Sequence, residues 1–376
     1  MKVFEKGFGE KLFPKSFSPI HFMNYNPEDF IMAVITVIGS GMMGSAIIFP
    51  AADNGNTIRI VGTPLDRAII DHARATGEHL TLKRKMPEGI TYYQYEEFET
   101  ALDGADLLVS GVSSFGVDWF ISEIIPKIPE SLPVLSVTKG MVNTENGGLI
   151  SYPEVYEAST DKKISFMAVG GPCTSYELAD HDPSEVTFCG RSIEQLKWAR
   201  SLFEADYYHV SVSTDVRGVE CAVAMKNAYA LGVALAIGMS YEREGREFEH
   251  YNSQAAIFGQ ACREMTRLLD VCGGHPSNLA LGIGDLYVTV YGGRTRKIGI
   301  LLGQGMEFDK ALEVLNGVTL ESIVISTRTA KAIRQQIEDG RAKAEHYPLL
   351  LHIDELVNGG KKVNVPWKAF ETEFEL

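Results

Sequence analysis

The sequence predicts an open α/β fold with a parallel sheet, followed by an all-helical part, and three observations carry that expectation. From Ala33 onward, short β-branched runs alternate with longer amphipathic ones, the pattern of strands joined by crossover helices. A glycine cluster, Gly39 to Gly44, stands between the first such run and the first helical one. After Ser213-Thr214-Asp215 the strand pattern disappears, and apolar helical stretches separated by glycine turns take over. The length of 376 residues, at roughly 150 residues per domain, also suits two domains better than one.

Taken in order, strands are expected at 34–38, 57–61, 107–111 and 134–137, then at 165–169, 185–188 and 209–213. A helix is expected over 42–53, ended by the turn Asn54-Gly55, and a charged one over 192–204. The reading divides the chain into an extension of uncertain order at 1–31, an α/β domain at 32–214 and a helical domain at 215–376. Clefts between two such parts are common places for small-molecule sites. The first 31 residues lack a clear period, and Met32 stands directly before the first strong strand, so this segment reads as a surface extension or the product of an upstream start.

Composition narrows the function classes. Hydrophobic residues at 45% and charged residues at 22% are those of a globular chain with a sizeable core. A net charge of -14 repels a phosphate backbone, so nucleic acid is not an expected partner, while a buried site for a small anion answers only to its nearest charges. Five cysteines without a Cys-x-x-Cys pair argue against a disulfide framework and for a reducing cytoplasm. The longest strongly apolar run, 228–239, is shorter than the roughly 18 residues of a spanning helix, and prolines break the N-terminal stretch, so neither an integral membrane segment nor an export signal is expected.

Gly39-Ser40-Gly41-Met42-Met43-Gly44 follows a strand and opens a helix, which is where a dinucleotide fingerprint has physical meaning. The first glycine permits the tight turn, the second lets a pyrophosphate approach the backbone, and the third lets helix and strand pack closely. The acidic residue that holds a ribose 2'-hydroxyl belongs at the end of the second strand, where this chain has Gly62-Thr63. Without a carboxylate there, and with Arg67 and Lys83 nearby, the pattern favours NADP(H) and leaves NAD(H) open. Asp66 is either a ribose partner or an ordinary acid in the first turn of the next helix.

Chemistry gathers in the second part. Lys226 and Asn227 interrupt a helix of small apolar residues, and a lysine buried there needs a carboxylate or a polar cleft. Asp285 is the candidate partner; on a helix it shares a face with Thr289, four residues on. Gly292-Gly293-Arg294-Thr295-Arg296-Lys297 then combines close backbone approach with cations, either a phosphate-binding arrangement or a solvated basic turn. Lys139 closes the strand 134–137, and position alone admits both a crevice-facing lysine and one pointing to water.

Together these motifs resemble the soluble NAD(P)-dependent glycerol-3-phosphate dehydrogenase family, from about Val34 to at least Gly305. The resemblance rests on the order of the fingerprint, Thr138-Lys139-Gly140, Gly170-Gly171-Pro172 with Glu177 after it, Lys226-Asn227, and Gly284-Asp285-Leu286 running into Gly292-Gly293-Arg294. It implies a Rossmann-type N-terminal domain, a helical C-terminal domain like that of 6-phosphogluconate dehydrogenase, and interconversion of dihydroxyacetone phosphate and sn-glycerol 3-phosphate. A homodimer is expected from the resemblance alone.

By the same resemblance, Lys226 is the catalytic lysine, with Lys139, Asp285 and Thr289 as companions. Asn227, Gly293, Arg294 and Thr295 serve the small phosphorylated substrate. Gly39, Ser40, Gly41, Met42, Met43, Gly44, Thr63, Ser114, Lys139 and Arg294 serve the NADP(H) or NAD(H) cofactor. Three departures bear on preference: Thr295 where the family has Asn, Cys173 where it has Ser, and Ser113 where it has Pro. Two rival readings share the fingerprint, a β-hydroxyacid dehydrogenase acting on another small substrate and a catalytically silent NAD(P)H-binding sensor. The cations after Gly292-Gly293 weigh against the first, and intact Lys139, Lys226 and Asp285 against the second.

Overall fold

Ten strands, eight of them in one sheet, precede a set of packed helices in the computed structural model, which describes residues 32–246, 248, 250–315 and 320–371. The strands are β1 (Val34–Ile38), β2 (Thr57–Val61), β3 (Thr91–Tyr93), β4 (Leu107–Ser110) and β5 (Val134–Ser136). They continue with β6 (Met141–Asn143), β7 (Leu149–Ser151), β8 (Phe166–Gly170), β9 (Ser184–Cys189) and β10 (Tyr208–Ser213). Ala33–Leu376 forms one compact unit. The extension expected at 1–31 lies outside the described residues.

The sheet order is β10-β9-β8-β5-β4-β1-β2-β3, parallel at every pairing except β8 with β9. Its central strands are apolar on both faces because helices cover both. All five residues of β8 are buried, and the one polar residue of β1, Thr36, donates its hydroxyl to the Ala101 carbonyl at 2.6 Å. The chain leaves β3 at one edge and returns to β4 beside β1, so strand order reverses between β1 and β4. At such a switch the loops at the carboxyl ends of the strands diverge and leave a crevice.

The expected strands are present, with ends shifted by at most a residue. Three short ones have no counterpart among the expectations. Strand β3 is only Thr91-Tyr92-Tyr93, and β6 with β7 makes an antiparallel hairpin closed by Thr144 N–H on the Gly148 carbonyl at 2.9 Å. Three-residue runs carry too few alternations to register as a period. The helix expected over 42–53 is two pieces, Met42–Ala46 and Ile48–Asp53, and Pro50 lacks the N–H that would have bonded back to Ala46.

No strand follows Ser213 among the described residues. Helix Val216–Ala224 leads directly into Lys226–Glu244, around which helices Tyr251–Val271, Asn278–Val290, Gly293–Gly303, Glu321–Glu338 and Pro348–Val357 pack. The stretch Val216–Glu244 is long and apolar enough to cross a membrane, and 89% of its most apolar window is buried inside the fold. It packs almost backbone to backbone on helix Gly293–Gly303: a Cβ at Gly299 would lie 2.6 Å from the Leu231 carbonyl, and one at Gly303 2.3 Å from the Leu235 carbonyl. Contact advances in the same direction along both helices, so they run parallel.

Glu264 joins the outer helices, accepting from Leu349 N–H at 2.8 Å, Leu350 N–H at 2.9 Å and the Tyr229 hydroxyl at 3.1 Å. Two N–H groups at the start of helix Pro348–Val357 thus find an acceptor inside the core. Burial still raises the Glu264 carboxyl to about 7, against the lowering effect of these donors.

Candidate active site

The glycine turn closes β1 at the switch point. Gly39 has φ +101, and a Cβ there would lie 2.8 Å from the Gly111 carbonyl carbon; a Cβ at Gly44 would lie 2.3 Å from the Gly39 oxygen. A Cβ at Gly41 would meet only the Gly111 oxygen, at 3.9 Å. Packing therefore demands the first and third glycines, whereas the second borders open space into which a pyrophosphate fits. Met42 and Met43 are half-buried in the first helical turn, and Gly44 is buried beneath it.

Beyond β2, the Asp66 carboxylate accepts from the Thr63 hydroxyl at 2.7 Å, Thr63 N–H at 2.9 Å and Ser40 N–H at 3.2 Å. All three bonds fall on one oxygen, Oδ2, so Asp66 ties the end of β2 to the fingerprint turn. Arg67 is paired with Glu96 at 2.5 Å, and Lys83 is an exposed residue in the left-handed region at φ 56. Past β4, half-buried Ser114 donates its N–H to Glu321 Oε1 at 3.4 Å.

The carboxyl end of β5 delivers Lys139. Its Nζ donates to the Gly171 carbonyl and to Asp285 Oδ2, each at 2.7 Å. From the helical part, Lys226 Nζ donates to Asp285 Oδ1 at 2.5 Å. Asp285 is fully buried, and the two lysine side chains keep 15% and 14% of their surface. One carboxylate thus sits between two ammonium groups that come from opposite sides of the cleft. The requirement that a lysine in the apolar helix find a carboxylate is met here, and the two readings of Lys139 resolve in favour of the crevice.

The two lysines respond differently. Burial lowers the Lys226 pKa, the attraction of Asp285 opposes this, and the like charge of Lys139 adds to the lowering. Burial pulls Lys139 down as well, but the charge and hydrogen bond of Asp285 outweigh it, and its pKa is raised.

Thr289 shares helix Asn278–Val290 with Asp285, but its hydroxyl donates to the Asp285 backbone carbonyl at 2.7 Å and not toward the carboxylate. A threonine one turn along a helix satisfies itself on the carbonyl below it, which the i, i+4 spacing does not distinguish from a shared site. Asn227 is half-buried beside Lys226 and lines a narrow crevice with Ser114, Lys139, Glu321 and Arg328. Gly293 and Arg294 are exposed at the start of helix Gly293–Gly303, with Thr295 half-buried behind them. Burial pushes the Cys173 thiol up to about 11, against the lowering charge of Lys139, so it stands in this site as a neutral thiol.

Two buried groups escape sequence reasoning. Glu220, fully buried on helix Val216–Ala224, has no partner of good hydrogen-bond geometry on either carboxylate oxygen, and burial lifts it to about 8 against the pull of Lys139 and of the nearby Gly140 backbone. A charge one residue before the apolar run that begins at Cys221 was the available signal. His79, 1% exposed, contacts the fingerprint turn from a loop, and no periodicity marks it. Among the described residues no group of three or more His, Cys, Asp or Glu could hold a metal ion.

A crevice of dinucleotide type at the switch of a parallel sheet, faced across a cleft by a lysine on a buried carboxylate, defines a nicotinamide-dependent oxidoreductase of two-part build. The chain belongs to the NAD-dependent glycerol-3-phosphate dehydrogenase family: the N-terminal family model matches residues 34–195 and the C-terminal one residues 215–368. The NADP(+)-dependent glycerol-3-phosphate dehydrogenase of Archaeoglobus fulgidus is 34% identical over 284 residues, covering 75% of this chain and 83% of that one. A glycerol-3-phosphate dehydrogenase [NAD(P)+] of Shouchella clausii is 29% identical, over 82% of this chain and 88% of its own. The same fold occurs in the glycerol-3-phosphate dehydrogenase of Plasmodium falciparum, with a TM-score of 0.76 at 20% identity, covering 92% of this chain and 97% of that one. It occurs also in that of Coxiella burnetii, with a TM-score of 0.73 at 22% identity over 90% and 98%. Membership brings NAD(P)H as the cofactor, and the open space at Gly41 fits it.

Proposed function

We propose that this protein interconverts dihydroxyacetone phosphate and sn-glycerol 3-phosphate, with Lys226 as general acid and base and Arg294 binding the substrate phosphate. The observation that carries the reading is the pair of lysines on Asp285, one of which, Lys139, lines the crevice. When bound, the nicotinamide supplies hydride to C2 of the ketone. The backbone of Gly39, Ser40, Gly41, Met42, Met43 and Gly44, together with Thr63 and Ser114, would hold the cofactor.

Reduction places growing negative charge on the carbonyl oxygen. The Lys226 ammonium stabilises that charge and then donates its proton, and in the oxidising direction its lowered pKa lets the amine accept a proton from the alcohol. Lys139 stays charged, adding positive potential without exchanging protons, and Asp285 holds both amines in place. Thr289 supports this from behind by closing the helix turn that carries Asp285. Arg294, Gly293 and Thr295 grip the phosphate, with Asn227 beside the reacting carbon. That remote grip restrains the ketone near the hydride donor. The parallel packing of helices Lys226–Glu244 and Gly293–Gly303 sets the distance between the proton donor and the phosphate site.

A preference for NADP(H) over NAD(H) is supported by the absence of a carboxylate at Gly62-Thr63 and by the hydrogen bonds that already engage Asp66. The division at residue 214, the homodimer and a cytoplasmic setting belong to the same reading. The test is near-ultraviolet absorbance of NADH and of NADPH, each mixed with enzyme and dihydroxyacetone phosphate. Oxidation of either, faster with NADPH, is the expected result. Tight coenzyme binding without turnover on this or other ketone phosphates would favour the silent sensor instead.

A further inference from the structure

We infer that His79 is a positioning residue for the dinucleotide turn, setting the direction in which the Gly41 N–H faces the ligand. The inference rests on the reading of that turn as the coenzyme site. The His79 ring is almost wholly buried, and both its nitrogens are engaged. Nδ1 accepts from Leu82 N–H at 2.9 Å and from Thr81 N–H at 3.2 Å, so it carries no proton. The ring proton therefore resides on Nε2, which donates to the Ser40 carbonyl at 2.8 Å.

Ser40 is the residue between the first two glycines, and neither of its peptide groups is left to the turn itself. Its N–H is taken by Asp66, and its carbonyl by His79. A trans peptide is planar, with C=O and N–H on opposite sides. Fixing the Ser40 carbonyl toward His79 turns the Gly41 N–H the other way, away from the His79 ring. Gly41, on one side of this peptide, leaves it freer to rotate in an isolated chain, so an external anchor is needed to hold its donor for an anionic ligand. The charged and titratable groups around the ring are Asp66 and His72 at the helix Arg67–Thr76, and Glu78, Lys83, Arg84 and Lys85 on its own loop. Burial lowers the His79 pKa, which keeps this neutral tautomer.

The test compares the full chain with His79→Ala and His79→Gln, measuring the dissociation constant for NADPH and for NADH by fluorescence, then coenzyme KM and kcat. His79→Ala is expected to weaken coenzyme binding about tenfold, the scale of a lost buried hydrogen bond, with coenzyme KM rising by more than kcat falls. Gln, whose side-chain amide nitrogen can take the place of Nε2, is expected to recover most of the affinity. If the parent binds coenzyme and His79→Ala binds it within twofold, or if Gln is no better than Ala, the positioning role is refuted. If the parent binds neither coenzyme, the site reading itself fails. Should the variants not fold, nitrogen-15 spectra of histidine-labelled parent decide: an Nε2–H tautomer for the buried ring supports the inference, and an Nδ1–H tautomer or a doubly protonated ring at neutral pH overturns it.

Discussion

Replacing Asp285 by Asn removes one charge and strands two. The carboxylate is fully buried with an amine 2.5 Å away on one oxygen and 2.7 Å away on the other. At an effective dielectric of about 20, each such pair is worth ~6 kcal/mol of gross attraction. Desolvation offsets much of that, and breaking a buried pair by removing one partner costs about 3–5 kcal/mol. At about 2.1 cal/mol/K of unfolding entropy per residue, a unit spanning Ala33–Leu376 should melt ~6 °C lower for a loss of about 4 kcal/mol. Without Asp285 the lysines lose the group that opposed their desolvation, so at least one is depressed below its unfolded pKa. The unfolded chain then binds more protons than the folded one, and stability of the variant rises with pH relative to the parent. Calorimetry of the coenzyme-free protein over a range of buffers measures both effects. A melting point within 1 °C of the parent, with the same pH dependence, would refute the placement of this carboxylate between two cations.

Lys226→Ala is expected to lower kcat by about 10³, within the range for loss of a positioned acid, while coenzyme affinity measured by fluorescence changes little. In the parent, the rate of glycerol 3-phosphate oxidation should rise with pH to a plateau reached below the ordinary lysine range, since only the neutral amine accepts the proton. Arg294→Ala should act mainly on KM, raising it for the phosphorylated substrate about 10- to 100-fold, the scale of a lost charged hydrogen bond; steady-state kinetics with NADPH saturating reads this. Glu220 keeps in the fold a proton that the unfolded chain releases near the ordinary glutamate value, so its contribution to stability declines as pH rises toward about 8. Glu220→Gln should remove that decline and stabilise the protein at pH 7 by up to about 3 kcal/mol, because each pH step above the ordinary glutamate value costs the parent about 1.36 kcal/mol. Denaturant titrations of parent and variant that stay parallel from acid to neutral pH would count against it.

Local chemistry made much of this protein legible in the chain. Long β-branched runs specify strands because a sheet covered on both faces accepts little else, and Gly39, Gly41 and Gly44 have identifiable spacing because turn, ligand and helix each impose a separate steric demand. Lys226 stood out because a cation in an apolar helix needs a partner. Tertiary structure alone decided which group answers that need and how. Lys139 and Lys226 are 87 positions apart in sequence and meet on one carboxylate, a convergence that no local period encodes. The shared helical spacing of Asp285 and Thr289 pointed to a common site, yet the hydroxyl is spent on its own backbone. Glu220 and His79 acquire their character only from what surrounds them, since burial and the tautomer are properties of an environment and not of a residue.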